Sequence, residues 1–407
     1  MLRSRVKLGR YPASVGRMLL ERRKRFSGMP VLSEGGRTLL WEELYDRVAR
    51  VGESLLSLGL ARGEVVAIYS RNRGEMLVLE LAAMSVGAVA CPIFAGYPSE
   101  PLDYILEHCG ARFLAVSDEK RLATVLSTRA ARGLKRIFVM DPSARNVDAR
   151  VRPFSTLLRA EVSSRFKRAL SKVRPLDAAL LMYTSGTSGR PKGVLLSHRN
   201  ILSQRRALEL LWKLKPGGRV LSYLPWHHSF GGIFELFGAL YSGAHITLDD
   251  SYGKDIQALI ANFKRVRPTM YFSVPRIHQA LIEESRRCME AERDIFHPDL
   301  RFVFTAAAAL PKRVADAYKR KGIPVVEGWG LTETSPCVTL TRFGQPRRLN
   351  AVGRPIPGVA VRIAADGEIL VQGPNVMLGY FKDPARTERA FTKDGWLRTG
   401  DYGEIRA

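Results

Sequence analysis

With 407 residues of ordinary globular composition (46% hydrophobic, 25% charged), the chain is too long for one compact core, and two or three domains or subdomains are expected. Its 64 basic and 39 acidic residues leave a net charge of +25, which favours polyanions: nucleotide phosphates, nucleic acid or an anionic membrane surface. A solvated arginine-rich surface explains the charge equally well, and no helix-turn-helix, zinc-finger or RNA-binding aromatic motif supports a specific nucleic-acid partner.

The first twenty residues, MLRSRVKLGRYPASVGRMLL, are arginine-rich and free of acids, as transit peptides are. Val15, Met18 and Leu19 nevertheless mark one helical face that runs into ERRKRF. A basic amphipathic helix on the folded domain, in peripheral contact with lipid, is the preferred reading. Helix and strand signals then alternate: helix at 41–60, strand at 64–70, helix at 74–85, strand at 88–94, helix at 101–110, strands at 112–118 and 136–141. The apolar run 76–97 is interrupted by Glu80 and punctuated by Gly87 and Pro92, so it reads as a buried helix followed by a buried strand and not as a membrane span. The pattern predicts a parallel sheet with helices on both faces.

Residues 142–176 are polar, basic and weakly periodic, and predict a surface connection. Strand signals return at 219–225, 244–249, 269–274, 300–306 and 324–330, with helical stretches between them, as in a second α/β unit. Beyond Ser335 the helices thin out, and VAVRIAADGEILVQG (359–373) reads as two strands joined at an Asp-Gly turn. The expected organisation is a first α/β subdomain over 1–178 with its basic helix, a second over 179–334, and a β-rich subdomain over 335–407. The four cysteines (Cys91, Cys109, Cys288, Cys337) stand far apart without a Cys-x-x-Cys pair. That argues against a disulfide frame or a zinc site and suits reduced thiols in the cytoplasm.

Between the apolar runs ALLMY (179–183) and GVLLS (193–197) lies TSGTSGRPKG (184–193). Small residues let the backbone approach a ligand, and glycines permit positive φ. Hydroxyls and main-chain N–H groups donate to anionic oxygens, and Lys192 adds a cation. The inventory suits a polyphosphate. It is not a Walker A loop, because Pro191 stands where glycine is required and a strand follows. A flexible Ser/Gly linker is the competing reading, disfavoured between two buried apolar runs.

YTSGTSGRPKGVLLSH resembles the signature loop of the adenylate-forming superfamily, which includes acyl- and aryl-CoA synthetases, luciferases and the adenylation domains of peptide synthetases. LPWHHSFG (224–231), EGWGLTETSP (327–336) and GWLRTGD (395–401) resemble three further family motifs in the family's order, and GEILVQGPNVMLGYFKDPARTERAF (367–391) matches the run between the last two. The resemblance covers nearly the whole chain from about Ser14. It implies two doubly wound α/β subdomains and a small distorted β-barrel.

The reaction implied is attack of a carboxylate on the α-phosphate of ATP, giving an acyl-adenylate and pyrophosphate, with CoA or a carrier-protein thiol as the later acceptor. By the resemblance, Thr184, Ser185, Gly186, Thr187, Ser188, Gly189 and Lys192 hold the β- and γ-phosphates. Trp329 stacks on adenine, with Ala307, Ala308, Glu327, Gly328 and Gly330 beside it, and Asp401 accepts both ribose hydroxyls. Thr332 bonds the α-phosphate, and Glu333 with Thr187 binds Mg²⁺. His228, Phe230, Gly231, Phe234 and Trp329 border the acyl group, and Lys192, Thr332, Glu333 and His228 form the catalytic set. Taken singly, Trp329 reads as a core aromatic, Glu333 as a helix-start acid and Asp401 as a turn residue; their shared order with the loop carries the assignment. His227 reads as a packed neighbour, and a metal role for the pair is discounted because adjacent residues on a strand point to opposite faces.

Two departures stand out. In TAAAALP (305–311), Ala306 and Ala307 add methyl groups where relatives carry glycines near the adenine. The sequence also stops at GDYGEIRA, where relatives enter a hinge and a smaller domain bearing a catalytic lysine, so poor adenylation and little CoA ligation are expected of this stretch. The acyl segment lacks the aspartate of amino-acid-activating relatives and offers Phe230, Ile233, Phe234, Leu236 and Phe237, which favours an apolar acid. CPIFAGYPSEPLDYIL looks most like a long-chain fatty acyl-CoA synthetase; aryl acids, a carrier-protein ligase and a catalytically silent nucleotide- or acyl-binding module remain alternatives.

Overall fold

A computed structural model of the chain describes residues 1–142, 148–184, 189–306, 308–345, 348 and 351–406. It is a mixed α/β structure built on three sheets. The first has eight strands in the order Gly379–Tyr380, Lys192–Ser197, Ala178–Thr184, Val89–Phe94, Val65–Ser70, Phe113–Asp118, Arg136–Asp141, Val151–Pro153. All its pairings are parallel except the two made by Lys192–Ser197. Val65–Ser70 is buried at every position, which is why it reads as a continuous apolar run without alternation. Helix Gly74–Ser85 is apolar all round for the same reason: all ten residues from Met76 to Ser85 are buried, Glu80 among them.

The second sheet has nine strands, with a parallel centre formed by Val325–Trp329, Phe302–Thr305, Met270–Ser273, Arg219–Ser222 and His245–Leu248. The hairpin Pro30–Glu34/Arg37–Leu40 extends it at one edge. Sheet membership therefore does not follow chain order. The strands flanking the 184–193 loop belong to the first sheet, not to the α/β unit that follows them, and an N-terminal hairpin belongs to the second.

The third sheet is antiparallel, in the order Leu2–Arg3, Ala360–Ile363, Glu368–Gln372, Leu397–Tyr402. Its two middle strands turn at Asp366 and Gly367, as expected. Where a barrel is implied by the resemblance, the described strands form an open sheet.

Two further expectations are corrected. Residues 148–176 are more than a surface connection. Val151–Pro153 is an edge strand, and Phe154, Leu157, Phe166 and Leu170 are buried against helix Trp41–Ser57. Glu53 of that helix accepts hydrogen bonds from the Ser163 hydroxyl at 2.9 Å and the Phe166 amide at 3.1 Å. The helix Val15–Arg25 forms as read, but Val15, Met18 and Leu19 have no exposed surface, so its apolar face is spent on the core and is not open to lipid. Among the described residues, no helix is long and apolar enough to cross a membrane.

Candidate functional site

Antiparallel pairing brings Lys192, the first residue of its strand, opposite Thr184, the last of its neighbour, so the loop between them opens at the sheet end. Ser197 then caps helix His198–Trp212: its hydroxyl accepts from the Asn200 amide at 3.1 Å while Asn200 Oδ1 accepts from the Ser197 amide at 2.7 Å. The Asn200 side-chain amide also donates to the carbonyls of Pro374 and Val376 at 2.8 and 2.7 Å. That draws the C-terminal segment across the sheet edge, where Leu378 and Phe381 donate to the Leu195 and Gly193 carbonyls. Tyr380 consequently lies beside Val194 in register.

Glu333 reaches the same place from the second sheet. It sits in the short turn Thr332–Thr334 that follows strand Val325–Trp329. The buried Asn375 pins this turn by donating to the Thr334 and Cys337 carbonyls at 3.0 Å, and the Met377 amide donates to the Glu333 carbonyl at 2.8 Å. Gly330 has no room for a side chain, since a Cβ would lie 2.0 Å from the Pro336 carbonyl oxygen.

The result is a cleft of about 300 Å³ lined by Thr184, Lys192, His228, Leu331, Thr332, Glu333, Tyr380, Arg398 and Thr399. At its centre Lys192 Nζ donates to Glu333 Oε1 at 2.6 Å and to the Tyr380 hydroxyl at 3.1 Å, and that hydroxyl donates to Glu333 Oε1 at 2.8 Å. Burial works against the Lys192 ammonium, but the hydrogen bond and charge of Glu333 outweigh it, with help from Tyr380, and raise its pKa. Burial and then the charge of Glu333 raise that of Tyr380, keeping its phenol a donor. The Thr184 hydroxyl oxygen is shielded from solvent and, among the described residues, has no hydrogen-bond partner.

His227 and His228 lie in a turn before the π-helical segment Phe230–Leu236, not on a strand. A Cβ on Gly232 would come 2.0 Å from the Trp226 carbonyl oxygen, and one on Gly231 2.5 Å from that of Pro225, so both glycines serve close backbone packing. His228 Nδ1 accepts from the Phe230 amide at 3.3 Å, and burial lowers the ring's pKa; the proton of the neutral ring then sits on Nε2. His227 packs on Phe94 at 4.9 Å and is pushed down to about 4 by burial and by His228. The Ser229 and Thr332 hydroxyls are 3.0 Å apart. Phe230 and Phe234 pack with Phe304 at ring separations of 5.6 and 4.3 Å.

Trp329 and Asp401 are also brought together: the indole Nε1 donates to Asp401 Oδ2 at 2.9 Å. Of the other expected residues, Glu327 sits mid-strand with its backbone bonded to Thr341. Gly328 packs under Phe304 and Leu340. Ala308 lines a different groove, of about 610 Å³, with Pro275, Arg276 and Gln279. Gly189 has φ +85°, in the left-handed region. Ser185, Gly186, Thr187, Ser188 and Ala307 lie outside the described residues. Tyr380, Arg398 and Thr399 line the cleft without having been assigned there, although all three fall within stretches already seen to resemble a family motif.

The donor set suits a nucleoside triphosphate with its cation. Among the described residues no cluster of three or more His, Cys, Asp or Glu side chains exists, so a divalent ion here would draw most of its ligands from phosphate and water, as Mg²⁺ does with nucleotides.

A sequence model of the family described as AMP-binding enzyme matches residues 19–381. The chain is 29% identical to the long-chain-fatty-acid–CoA ligase FadD15 of Mycobacterium bovis over 88% of its own length and 66% of that ligase, so it spans somewhat less than two thirds of this relative. It is 32% identical to the sulfoacetate–CoA ligase of Cupriavidus necator, over 91% of this chain and 71% of that one. The structure of ATP-bound MatB from Rhodopseudomonas palustris superposes with a TM-score of 0.79 at 25% identity, covering 96% of this chain and 76% of MatB.

Proposed function

The chain belongs to the AMP-binding enzyme family, and on that premise we propose that it activates a carboxylic acid with ATP, forming an acyl-adenylate and pyrophosphate as the first half of thioester synthesis. The observation that carries this reading is the cleft itself, where a lysine, a buried carboxylate and a solvent-shielded threonine hydroxyl converge at the end of a Ser/Thr/Gly loop. Lys192 and Thr184 would bind the phosphate tail, and Glu333 would hold Mg²⁺, whose charge offsets that of the polyphosphate. Trp329 and Asp401, joined by their hydrogen bond, would take adenine and ribose as one unit. His228, with its proton on Nε2, would donate to the bound carboxylate's side of the cleft.

The acid we favour is apolar, a fatty acid in first place. Phe230 and Phe234 stand behind His228 in an aromatic cluster with Phe272, Phe304 and Trp212. The neighbouring Glu235 is fully buried, and burial pushes its carboxyl well above the ordinary range, so it offers no counter-charge to a substrate ammonium. CoA is the proposed acceptor, as in the names of the relatives. Any peripheral contact with anionic lipid would be electrostatic, through the basic surface.

The experiment is calorimetric titration with MgATP, followed by pyrophosphate release with fatty, aryl and amino acids. Heat with MgATP that Lys192→Ala abolishes, and release with apolar acids before all others, is expected. No heat with MgATP from folded protein would overturn the reading.

A further inference from the structure

The Lys192–Tyr380–Glu333 triangle contains one member that the loop chemistry does not require. We propose that Tyr380 is a positioning residue of the nucleotide site, whose hydroxyl keeps the Glu333 carboxylate in place when Lys192 leaves it for the triphosphate. The inference rests on the nucleotide reading of the cleft.

Both hydrogen bonds recorded for Lys192 Nζ lie inside the triangle, at 2.6 Å to Glu333 and 3.1 Å to Tyr380. A polyphosphate that binds the remaining donor of this ammonium competes with Glu333 for its charge and draws it away from that carboxylate, whose side chain is 9% exposed. A carboxylate so buried that loses its cation must find another donor or turn toward solvent. The Tyr380 hydroxyl, 2.8 Å from the same Oε1, is the donor that stays. Its backbone is tied down on both sides. The Tyr380 amide donates to Thr387 Oγ1 at 2.9 Å, the flanking Leu378 and Phe381 amides are bonded to the strand that carries Lys192, and Gly379 adopts φ +149° against Thr387. Tyr380 thus belongs to the sheet edge that bears the lysine yet bonds the acid from the other sheet, and it sets the distance between the phosphate-binding cation and the carboxylate that would face a divalent ion.

The test is calorimetric titration of ATP at a series of Mg²⁺ concentrations, with thermal melting, for the wild-type chain, Tyr380→Phe, Glu333→Gln and the double variant. Tyr380→Phe removes one oxygen and keeps the ring, so the chain should still fold, melting at most a few degrees below the wild type. Its MgATP affinity should fall about tenfold, with a several-fold higher Mg²⁺ requirement, as expected for a lost charge-assisted hydrogen bond. In the Glu333→Gln background the same substitution should change affinity by less than about twofold, because Tyr380 acts through that carboxylate. If the wild type binds MgATP and Tyr380→Phe binds it identically at every Mg²⁺ concentration, Tyr380 is a packing residue and the nucleotide reading survives. If the loss is the same with and without Glu333, the route through the carboxylate is wrong. A wild-type chain that gives no heat with MgATP removes the nucleotide reading and this proposal together.

Discussion

Replacing Lys192 by methionine should separate what the lysine does for the fold from what it does for the ligand. In the folded chain it neutralises Glu333 at 2.6 Å, with the two side chains 26% and 9% exposed. Exposed pairs contribute about 0.2–1 kcal/mol, and breaking a fully buried pair costs about 3–5 kcal/mol. This half-buried pair falls between, and the Tyr380 hydroxyl still donates to the stranded carboxylate, so a loss of about 2 kcal/mol is expected. The raised lysine pKa fixes the sign of the pH dependence. Its stabilisation is fully present below the unfolded lysine value of about 10.4 and is lost as pH rises through the folded value, so the deficit of Lys192→Met should be flat from about pH 6 to about 10 and shrink only above that. Adding Glu333→Gln removes the stranded charge and should return stability to within about 0.5 kcal/mol of wild type. MgATP affinity should not return, because the lost ammonium–phosphate contact, worth about 1.5–3 kcal/mol, weakens binding roughly 10- to 150-fold whatever stands at 333. Urea unfolding and calorimetry on the three proteins read the two quantities separately. A double variant as unstable as the single one would show that the pair is not what holds this corner. A double variant that binds MgATP like wild type would show that Lys192 is not a phosphate ligand.

The buried Glu80 gives a second pH signature: burial raises its carboxyl to about 8 from an ordinary 4.5, so its share of stability is whole below about pH 4.5 and drains away as pH rises to 8. Glu80→Gln should therefore gain on the wild type by about 3 kcal/mol between pH 5 and 7.5 in urea melts, and a pH-independent difference would refute the burial argument. Gly232→Ala, whose Cβ would fall 2.0 Å from the Trp226 carbonyl oxygen, should cost at least about 3 kcal/mol in the same melts. Gly395→Ala, with φ +80° and nothing within 4 Å, should cost about 1 kcal/mol, and equal losses would mean the π-helical segment yields easily.

What could be read from the sequence depended on whether the information was local. The runs at 65–70, 89–94 and 113–118 are buried on both faces, and burial of that kind writes itself into composition, so these strands were legible to within a residue. Strand partnership was not, because period and propensity do not say which sheet a strand joins; hence the surprise that Ala178–Thr184 and Lys192–Ser197 sit in the first sheet. In Ser164–Lys172 the arginines and lysines drowned a signal that was present, for Phe166 and Leu170 stand four apart and are the two side chains that bury. The site divides in the same way. Lys192 and Glu333, 141 positions apart, could be joined only because each lies in a stretch with a recognisable pattern. Tyr380 has the same standing in the structure and lies in the run 367–391 that matches the family, but nothing in that run marks it as a site residue. It comes from a two-residue strand, too short to show any period, and its place beside Lys192 is decided by main-chain hydrogen bonds to Gly193 and Leu195 and by Asn200 holding residues 374 and 376. A residue positioned by other residues' backbone leaves no mark on its own neighbourhood. Short edge strands whose side chains reach residues of a second sheet are therefore where a site of this kind should be searched for members that motif reading passes over.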